Sequence, residues 1–548
     1  MEENRVEWLP HLTSEVVADA RGPEFDAYLV ALEGWRRGLT LKWHVKNKEK
    51  FSEMKTWFVD KPGKLFSLSS KDKTHYFFRT RGDKVSNEAV EIGADKEQTK
   101  IYLTQTKVRT PEGKRFFPSS QNNEEIFKYA SKIGYPIVLK PTDGSFGRGV
   151  ITNIGNEEEL INALNYLCSD LNYTDVIVER FIPGKEYRIY VIDEQVVAAI
   201  HRIPANVLGD GFNTIQTLIE MKNEERKRNP RLISCLIKVN NELKEFLSKA
   251  GYHLESVPEK NERIFLTDKS NISIGGDPVD VLDILPEEIK NTAIRAIKAI
   301  PGLNHGAVDL IIEEDKPVEQ AGVVLEINPT AQIGSLLFPM KGKARDVPAA
   351  IIDFYFPETK EMVTEKERIY FDFNDVLEPL LTKTASTTMV SAAPVGKIYA
   401  KKYTVSGDVQ GIDYHRGLRK QAFERKLSGY VTNLENGDID IVVLGTDENN
   451  VNDFKNAITG DPERSDVRGI RETDWTEPVK VGFEVKVDLK LQIEQLKHMK
   501  QEMDALQKEL RQVERQYKKY YNSLSWQLMT PFRKIADLVK YFRRLAGK

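Results

Sequence analysis

Residues 134–150, Gly-Tyr-Pro-Ile-Val-Leu-Lys-Pro-Thr-Asp-Gly-Ser-Phe-Gly-Arg-Gly-Val, read as a hydrophobic strand that ends in a lysine and runs into a glycine-rich loop. That arrangement suits a nucleotide site. Lys140 sets a fixed cation at the strand end, where it can neutralise phosphate oxygens. Gly144, Gly147 and Gly149 let the backbone come close enough to offer its N–H groups. The loop differs from the Walker pattern, because its lysine precedes the glycines. A glycine-rich turn alone also fits a plain hairpin, so the neighbouring segments decide.

Working outward, Asp95-Lys96 with Thr99-Lys100 opens a helix and supplies a lysine upstream. Val176–Glu186 reads as a strand, a turn and an acidic residue, a hinge whose backbone can hydrogen-bond a purine while Glu186 accepts from ribose hydroxyls. Ala307-Val-Asp309 ends one apolar strand, and Val323-Val-Leu-Glu326-Ile-Asn328-Pro329 forms a second. Two carboxylates and an amide on adjacent strands can hold Mg²⁺ against phosphate oxygens. Pro339–Arg345 then adds clustered cations for an anionic substrate or a γ-phosphate.

The bulk numbers bound this reading. A chain of 548 residues holds three or four domains at roughly 100–200 residues each. The net charge of −3 gives no global pull toward nucleic acid, so none is expected as a partner. Two cysteines, Cys168 and Cys235, argue against a disulfide framework and fit a reducing cytosol. The amino terminus lacks a basic start followed by an apolar run, so no signal peptide is expected. No stretch reaches the roughly 18 uninterrupted apolar residues of a membrane-spanning helix.

The expected organisation is an α/β lead-in domain over 1–94, with a helix from Phe25 to Arg37 and short strands near 41–45, 65–68 and 75–79. The largest unit follows over 95–358, then a connector over 359–396 in which Thr382–Pro394 is rich in Ser, Thr and Ala. Strands and helices alternate again over 397–487; a coiled coil over 488–523 and a basic amphipathic helix over 524–548 complete the chain.

The ordered motifs of 95–358 resemble the ATP-grasp superfamily. They are similar to the ATP-grasp domain of cyanophycin synthetases and, more distantly, to D-alanine–D-alanine ligase. The likeness extends to His201–Gln216, Gly251–Pro258, Ser270–Gly276 and Gly342–Arg345, and covers close to half of the chain. Because the lead-in differs and no Mur-ligase-like half follows, cyanophycin is not the expected product. The resemblance implies carboxylate–amine ligation: ATP phosphorylates a carboxylate, an amine attacks the acyl phosphate, and an amide forms with ADP and phosphate. It assigns Lys96 and Lys140 to the α/β-phosphates, with Gly144, Ser145 and Gly147 in the loop beside them. Glu179, Arg180 and Ile182 would line the adenine pocket, with Glu186 on ribose. Asp309, Glu326 and Asn328 would hold Mg²⁺, with Mn²⁺ an alternative, and Arg202 and Arg345 would steady the acyl phosphate.

Residues 404–435 resemble acylphosphatase, a ferredoxin-like βαββαβ domain, across about 397–487. In that family the loop after the first strand wraps a phosphate, an arginine ends the loop, and an asparagine on the next strand positions water. The corresponding cradle is Gln410, Gly411, His415 and Asn433. His415 stands at the arginine position without its permanent charge or bidentate fork, and Asp408 replaces a usual basic residue. Both departures count against hydrolysis.

In the tail, Leu496, Met499, Met503, Leu506, Leu510, Val513, Tyr517 and Tyr520 follow 3-4 spacing, the pattern of a short coiled coil and hence of a homo-oligomer. The alternative is a single helix laid on the ligase. Ser523–Arg533 resembles a tail motif of bacterial polysaccharide glycosyltransferases. The basic helix after it suits an anionic membrane surface, against the alternative of a partner-binding or self-packing helix. The whole reads as a cytoplasmic ligase of carboxylate and amine substrates, small molecules or peptides, peripheral at the inner face of the membrane and linked to cell-surface polymer synthesis. Its rivals are a non-catalytic ATP-binding scaffold and an acylphosphatase.

Overall fold

A computed structural model describes residues 6–47, 51–118, 123–142, 149–362, 364–460 and 465–486, together with 500, 503, 505–507, 509–515 and 517; the side chain of Ile412 is not described. The chain divides into two compact units. One runs to Tyr399 and regains Leu444–Glu448 and Thr476–Val481; the other takes Ala400–Val443, Asn449–Trp475 and the chain from Gly482.

In the first unit, helix Gly22–Arg36 carries a proline in its first turn, where the missing N–H costs nothing, and is buried from Phe25 to Arg36. It packs on helix Val347–Tyr355. A five-stranded sheet beside it runs in the order Thr387–Met389, Thr40–His44, Leu65–Ser69, Thr74–Phe78 and Arg81–Gly82. Residues 359–396, expected as a connector, therefore supply an edge strand to the lead-in sheet, as well as helix Phe373–Leu381.

Two further sheets frame the candidate site. The first comprises β1 (Gly113–Phe116), β2 (Ile137–Pro141), β3 (Ile151–Ile154) and β4 (Val176–Arg180), in the order β1-β4-β2-β3. The second comprises β5 (Lys185–Ile192), β6 (Gln195–Ile203), β7 (Asp277–Asp280), β8 (His305–Ile312) and β9 (Gly322–Asn328), in the order β7-β6-β5-β8-β9. Every pairing in this second sheet is antiparallel. Period-2 alternation gives it two unlike faces. Ile189, Val191, Val308 and Leu310 join a core with helices Asn87–Ala94 and Glu287–Ala299. Glu186, Arg188 and Asp309 share the other face. Between β6 and β7, an insertion with helices Ile215–Arg228 and Asn241–Lys249 builds its own small core.

The second unit has β10 (Tyr399–Asp408), helix Ile412–Glu424, β11 (Ser428–Asn433), β12 (Ile439–Gly445), helix Glu448–Thr459 and β13 (Asp466–Asp474). A further strand, β14 (Phe483–Lys486), pairs parallel to β11. The sheet order β13-β10-β12-β11-β14 is the ferredoxin-like βαββαβ arrangement with one added edge strand.

Candidate functional site

The lysine side of the site is built on β2, β4 and helix Lys96–Gln105. Asp95 caps that helix, accepting from the N–H groups of Glu97 and Gln98. Its first turn then aims Lys96 at the base of the glycine-rich loop, where Nζ donates to the carbonyls of Pro141 (3.3 Å) and Thr142 (3.1 Å). One turn on, Lys100 ion-pairs with Glu179, and Lys140 reaches the other oxygen of the same carboxylate at 2.6 Å. Glu179 is 3% exposed. Burial raises its pKa, but Lys140 and Lys100 together outweigh burial and hold it below the ordinary glutamate value. Burial lowers Lys100 despite the attraction of Glu179, and the like charge of Lys140 lowers it further. Gly113 has to be bare: a Cβ there would lie 2.5 Å from Glu179 Cγ and 2.7 Å from Lys100 Nζ. Thr142 Oγ1 is buried without a hydrogen-bond partner among the described residues, which leaves a polar group for a phosphate beside the lysines.

The carboxylate side lies on β5, β6, β8 and β9. Asp309 stands opposite Glu326 and opposite Arg188 in the strand register. Arg188 grips Asp309 with two parallel bonds, Nε to Oδ1 and Nη2 to Oδ2, each 2.8 Å; Arg202 Nη1 adds a third at 3.0 Å. Burial pushes Asp309 up, yet the two guanidiniums drive it far below the carboxylate range. Glu326 moves the other way: burial and then the facing charge of Asp309 raise it. Asn328 donates to Glu326 at 3.1 Å and leans toward Asp309 at 3.4 Å. Two mutually repelling carboxylates are hard oxygen donors that fit a divalent cation, and Asn328, whose Nδ2 faces both, would add its amide oxygen on a flip of the side chain. Arg202 Nε is buried and without a partner among the described residues, a donor in reserve on the same face.

The two sides are joined by a four-residue link, 181–184, between β4 and β5. Thr152 of β3 donates to Asp268 at 2.7 Å, tying this strand to the insertion.

In the second unit, the loop expected to cradle a phosphate is anchored. Gln410 Nε2 donates to the carbonyls of Leu434 (2.8 Å) and Asp438 (2.9 Å), binding the loop after β10 to the end of β11. His415 is 4% exposed; burial lowers its pKa, and a hydrogen bond to the Val409 backbone offsets part of that. His415 Nε2 and Asn433 Oδ1 are both buried without partners among the described residues.

Comparison with known proteins bears on both units. Residues 93–213 match the RimK-like ATP-grasp domain, and residues 401–485 match the acylphosphatase family. The chain carries an ATP-grasp domain followed by an acylphosphatase-like one. Cyanophycin synthetase of Synechocystis sp. is 33% identical over 274 residues, 49% of this chain and 31% of that protein. The glutathione biosynthesis bifunctional protein GshAB of Desulfotalea psychrophila is 31% identical over 300 residues, 54% of this chain and 38% of its own. The chain thus spans about a third of the length of these curated relatives. A crystal structure of a bifunctional glutathione synthetase from Pasteurella multocida aligns with a TM-score of 0.42 at 26% identity, covering 54% of this chain and 41% of that one.

Within the ATP-grasp domain the structure gathers Lys96, Lys140 and Glu179 on one side and Arg202, Asp309, Glu326 and Asn328 on the other. Several side chains make contacts other than those expected. Glu179, expected at adenine, has its carboxylate between two lysines. Arg180 donates to the carbonyl of Ile133 at 2.9 Å and ion-pairs with Glu112, and Ile182 lies in the link. Glu186, expected on ribose, accepts from Arg202 and Ser270. Arg345 is clamped by Asp280 (2.9 and 2.6 Å), at the end of β7, the edge strand three places from β8, and by Asp283 (3.0 Å) just beyond it. Gly144, Ser145 and Gly147 lie outside the described residues. Arg188 was not among the expected site residues, although Glu186 and Arg188 alternate with Tyr187 and Ile189 in their strand, a period-2 signal that both share one face.

Proposed function

We propose that this protein is an ATP- and divalent-metal-dependent ligase that joins a carboxylate to an amine through an acyl phosphate. The observation that carries the reading is the pairing, on two linked sheets, of a buried lysine cluster with a repelling carboxylate pair. Phosphoryl transfer depends chiefly on positioning and charge neutralisation, and these residues supply both. Lys96, Lys100 and Lys140 offer fixed positive charge to the triphosphate. Asp309, Glu326 and Asn328 would hold Mg²⁺, which would supply positive charge against the phosphate oxygens. Arg188 keeps Asp309 ionised and oriented, while Arg202 offers its unpartnered Nε to the developing acyl phosphate. Names of the relatives point to amino acids and peptides as the substrate class.

The test is ADP release against a panel of amino acids, dipeptides and uronic-acid nucleotides, with Lys140→Ala and Glu326→Ala as controls. Calorimetry that finds no nucleotide affinity in the presence of Mg²⁺ overturns the ligase. Tight binding without turnover on any panel member turns the reading into a scaffold.

The cradle in the second unit is proposed as a retained binding module without hydrolysis. Exposed Met503, Leu506, Leu510, Val513 and Tyr517 keep the heptad spacing on a helical stretch, which supports a homo-oligomeric coiled coil. Leu496, Met499, Tyr520 and the whole basic helix 524–548 lie outside the described residues. Among those described, no helix is long and apolar enough to cross a membrane. Peripheral attachment through 524–548 therefore rests on sequence; deletion of that segment should abolish co-sedimentation with anionic vesicles.

A further inference from the structure

On and beside the second sheet, Arg188, Arg202, Arg226 and Arg345 each face a carboxylate. Arg231 does not. Among the described residues its guanidinium meets only neutral groups: Ser234 Oγ (3.1 Å), Cys235 Sγ (2.9 Å) and Gln332 Oε1 (2.9 Å). An arginine keeps its charge at any working pH, and its planar fork matches a carboxylate.

The fold fixes the backbone and the stem of this arginine. Asn229, 3% exposed, accepts from the N–H groups of Arg231 (2.9 Å) and Leu232 (3.1 Å) and donates to the Phe338 carbonyl (3.0 Å). Gly334 leaves room for the arginine stem, because a Cβ there would lie 2.6 Å from Arg231 Cδ. The side chain remains half-buried, so its charge is held in place without being sealed off.

Its position relates it to the chemistry. Gln332 lies four residues past Asn328, on the loop that leaves the metal strand. The carbonyl of Cys235 accepts from Arg226, which also binds the carbonyls of Ile272 and Gly276. Arg231 thus belongs to the wall that brings Ser270 onto Glu186 and, through it, Arg202. The reacting carboxylate already has Arg202 and the cation site at hand.

We propose that Arg231 binds the carboxylate that an amino-acid or peptide substrate keeps through the reaction. This rests on the ligase reading. The experiment takes the amino acid or dipeptide that gives ADP release with the full-length chain and compares it with its C-terminal carboxamide. The wild type should lose on the order of 10²-fold in kcat/KM on amidation, the range for leaving a positioned charge unpaired. In Arg231→Gln the same change should cost less than about threefold, with KM for ATP and the melting temperature unchanged; Arg231→Lys should fall between. Equal discrimination in wild type and Arg231→Gln overturns the assignment while the ligase stands. A wild-type chain that turns over ATP with no panel member removes both.

Discussion

Replacing Glu326 by Gln removes one of two negative charges that face each other between β8 and β9. Cross-strand partners have Cβ atoms about 5 Å apart. At that separation and an effective dielectric near 20, two like charges repel by about 3 kcal/mol. Arg188 attracts Glu326 and offsets part of this, as does the hydrogen bond from Asn328. A net gain of about 1–2 kcal/mol is expected for Glu326→Gln at pH 7, or about 2–6 °C in the first melting transition. The sign follows from the raised folded pKa. Below about pH 4, Glu326 is protonated in folded and unfolded chains alike and the two proteins should melt together. The difference opens as pH rises through the unfolded value and levels off above the folded one. Nucleotide reverses the order: at 100 times its Kd, MgATP should add about 2.7 kcal/mol to the wild type and far less to the variant. Scanning fluorimetry at pH 4 and pH 7, with and without MgATP, reads all four states. A variant that melts lower than wild type without nucleotide would falsify the repelling pair and, with it, the cation site.

Glu179→Ala leaves Lys100 and Lys140 buried without a counter-ion and should cost about 3–5 kcal/mol in stability; a loss under 1 kcal/mol in urea titration would mean that the carboxylate does not hold the cluster. Intact protein should hydrolyse benzoyl phosphate at the background rate. The double variant Asp408→Arg with His415→Arg restores the missing cations and should raise that rate on the order of 10²-fold, so a flat result would show that the cradle no longer has a productive geometry. Leu506→Glu with Leu510→Glu places charge on the exposed heptad seam and should convert an oligomer to monomer in analytical ultracentrifugation, leaving ADP release intact; an unchanged sedimentation coefficient refutes the coiled coil.

Much of the fold can be read from local pattern. The helix expected over Phe25–Arg37 forms over Gly22–Arg36, and the strands expected near 41–45, 65–68 and 75–79 form over Thr40–His44, Leu65–Ser69 and Thr74–Phe78. The segment 359–396 was misleading because its run Thr382–Pro394, rich in Ser, Thr and Ala, resembles a linker, whereas Thr387–Met389 is stabilised by pairing with Thr40–His44, more than 300 residues away. Of the site, Lys96, Lys140, Asp309, Glu326 and Asn328 could be singled out because each is a polar residue in or beside a recognisable strand or helix, although Asp309, expected to end its strand, lies within β8, which runs on to Ile312. Partners were less so. Glu179 between two lysines and Glu186 on Arg202 both depend on which side chain a neighbouring element brings across.

Residue type and spacing along the chain determined which groups could do chemistry: lysines beside a glycine loop, acids within apolar strands, an arginine lost from the second domain's cradle. Only the tertiary structure decided who faces whom. Arg188 opposes Asp309 because β5 and β8 pair in one register, and a slip of one residue would turn every side chain of the strand to the opposite face. Arg231 meets Gln332 across 101 positions of chain. Long-range register is set by the summed burial of entire sheets, a quantity that no short window of residues contains.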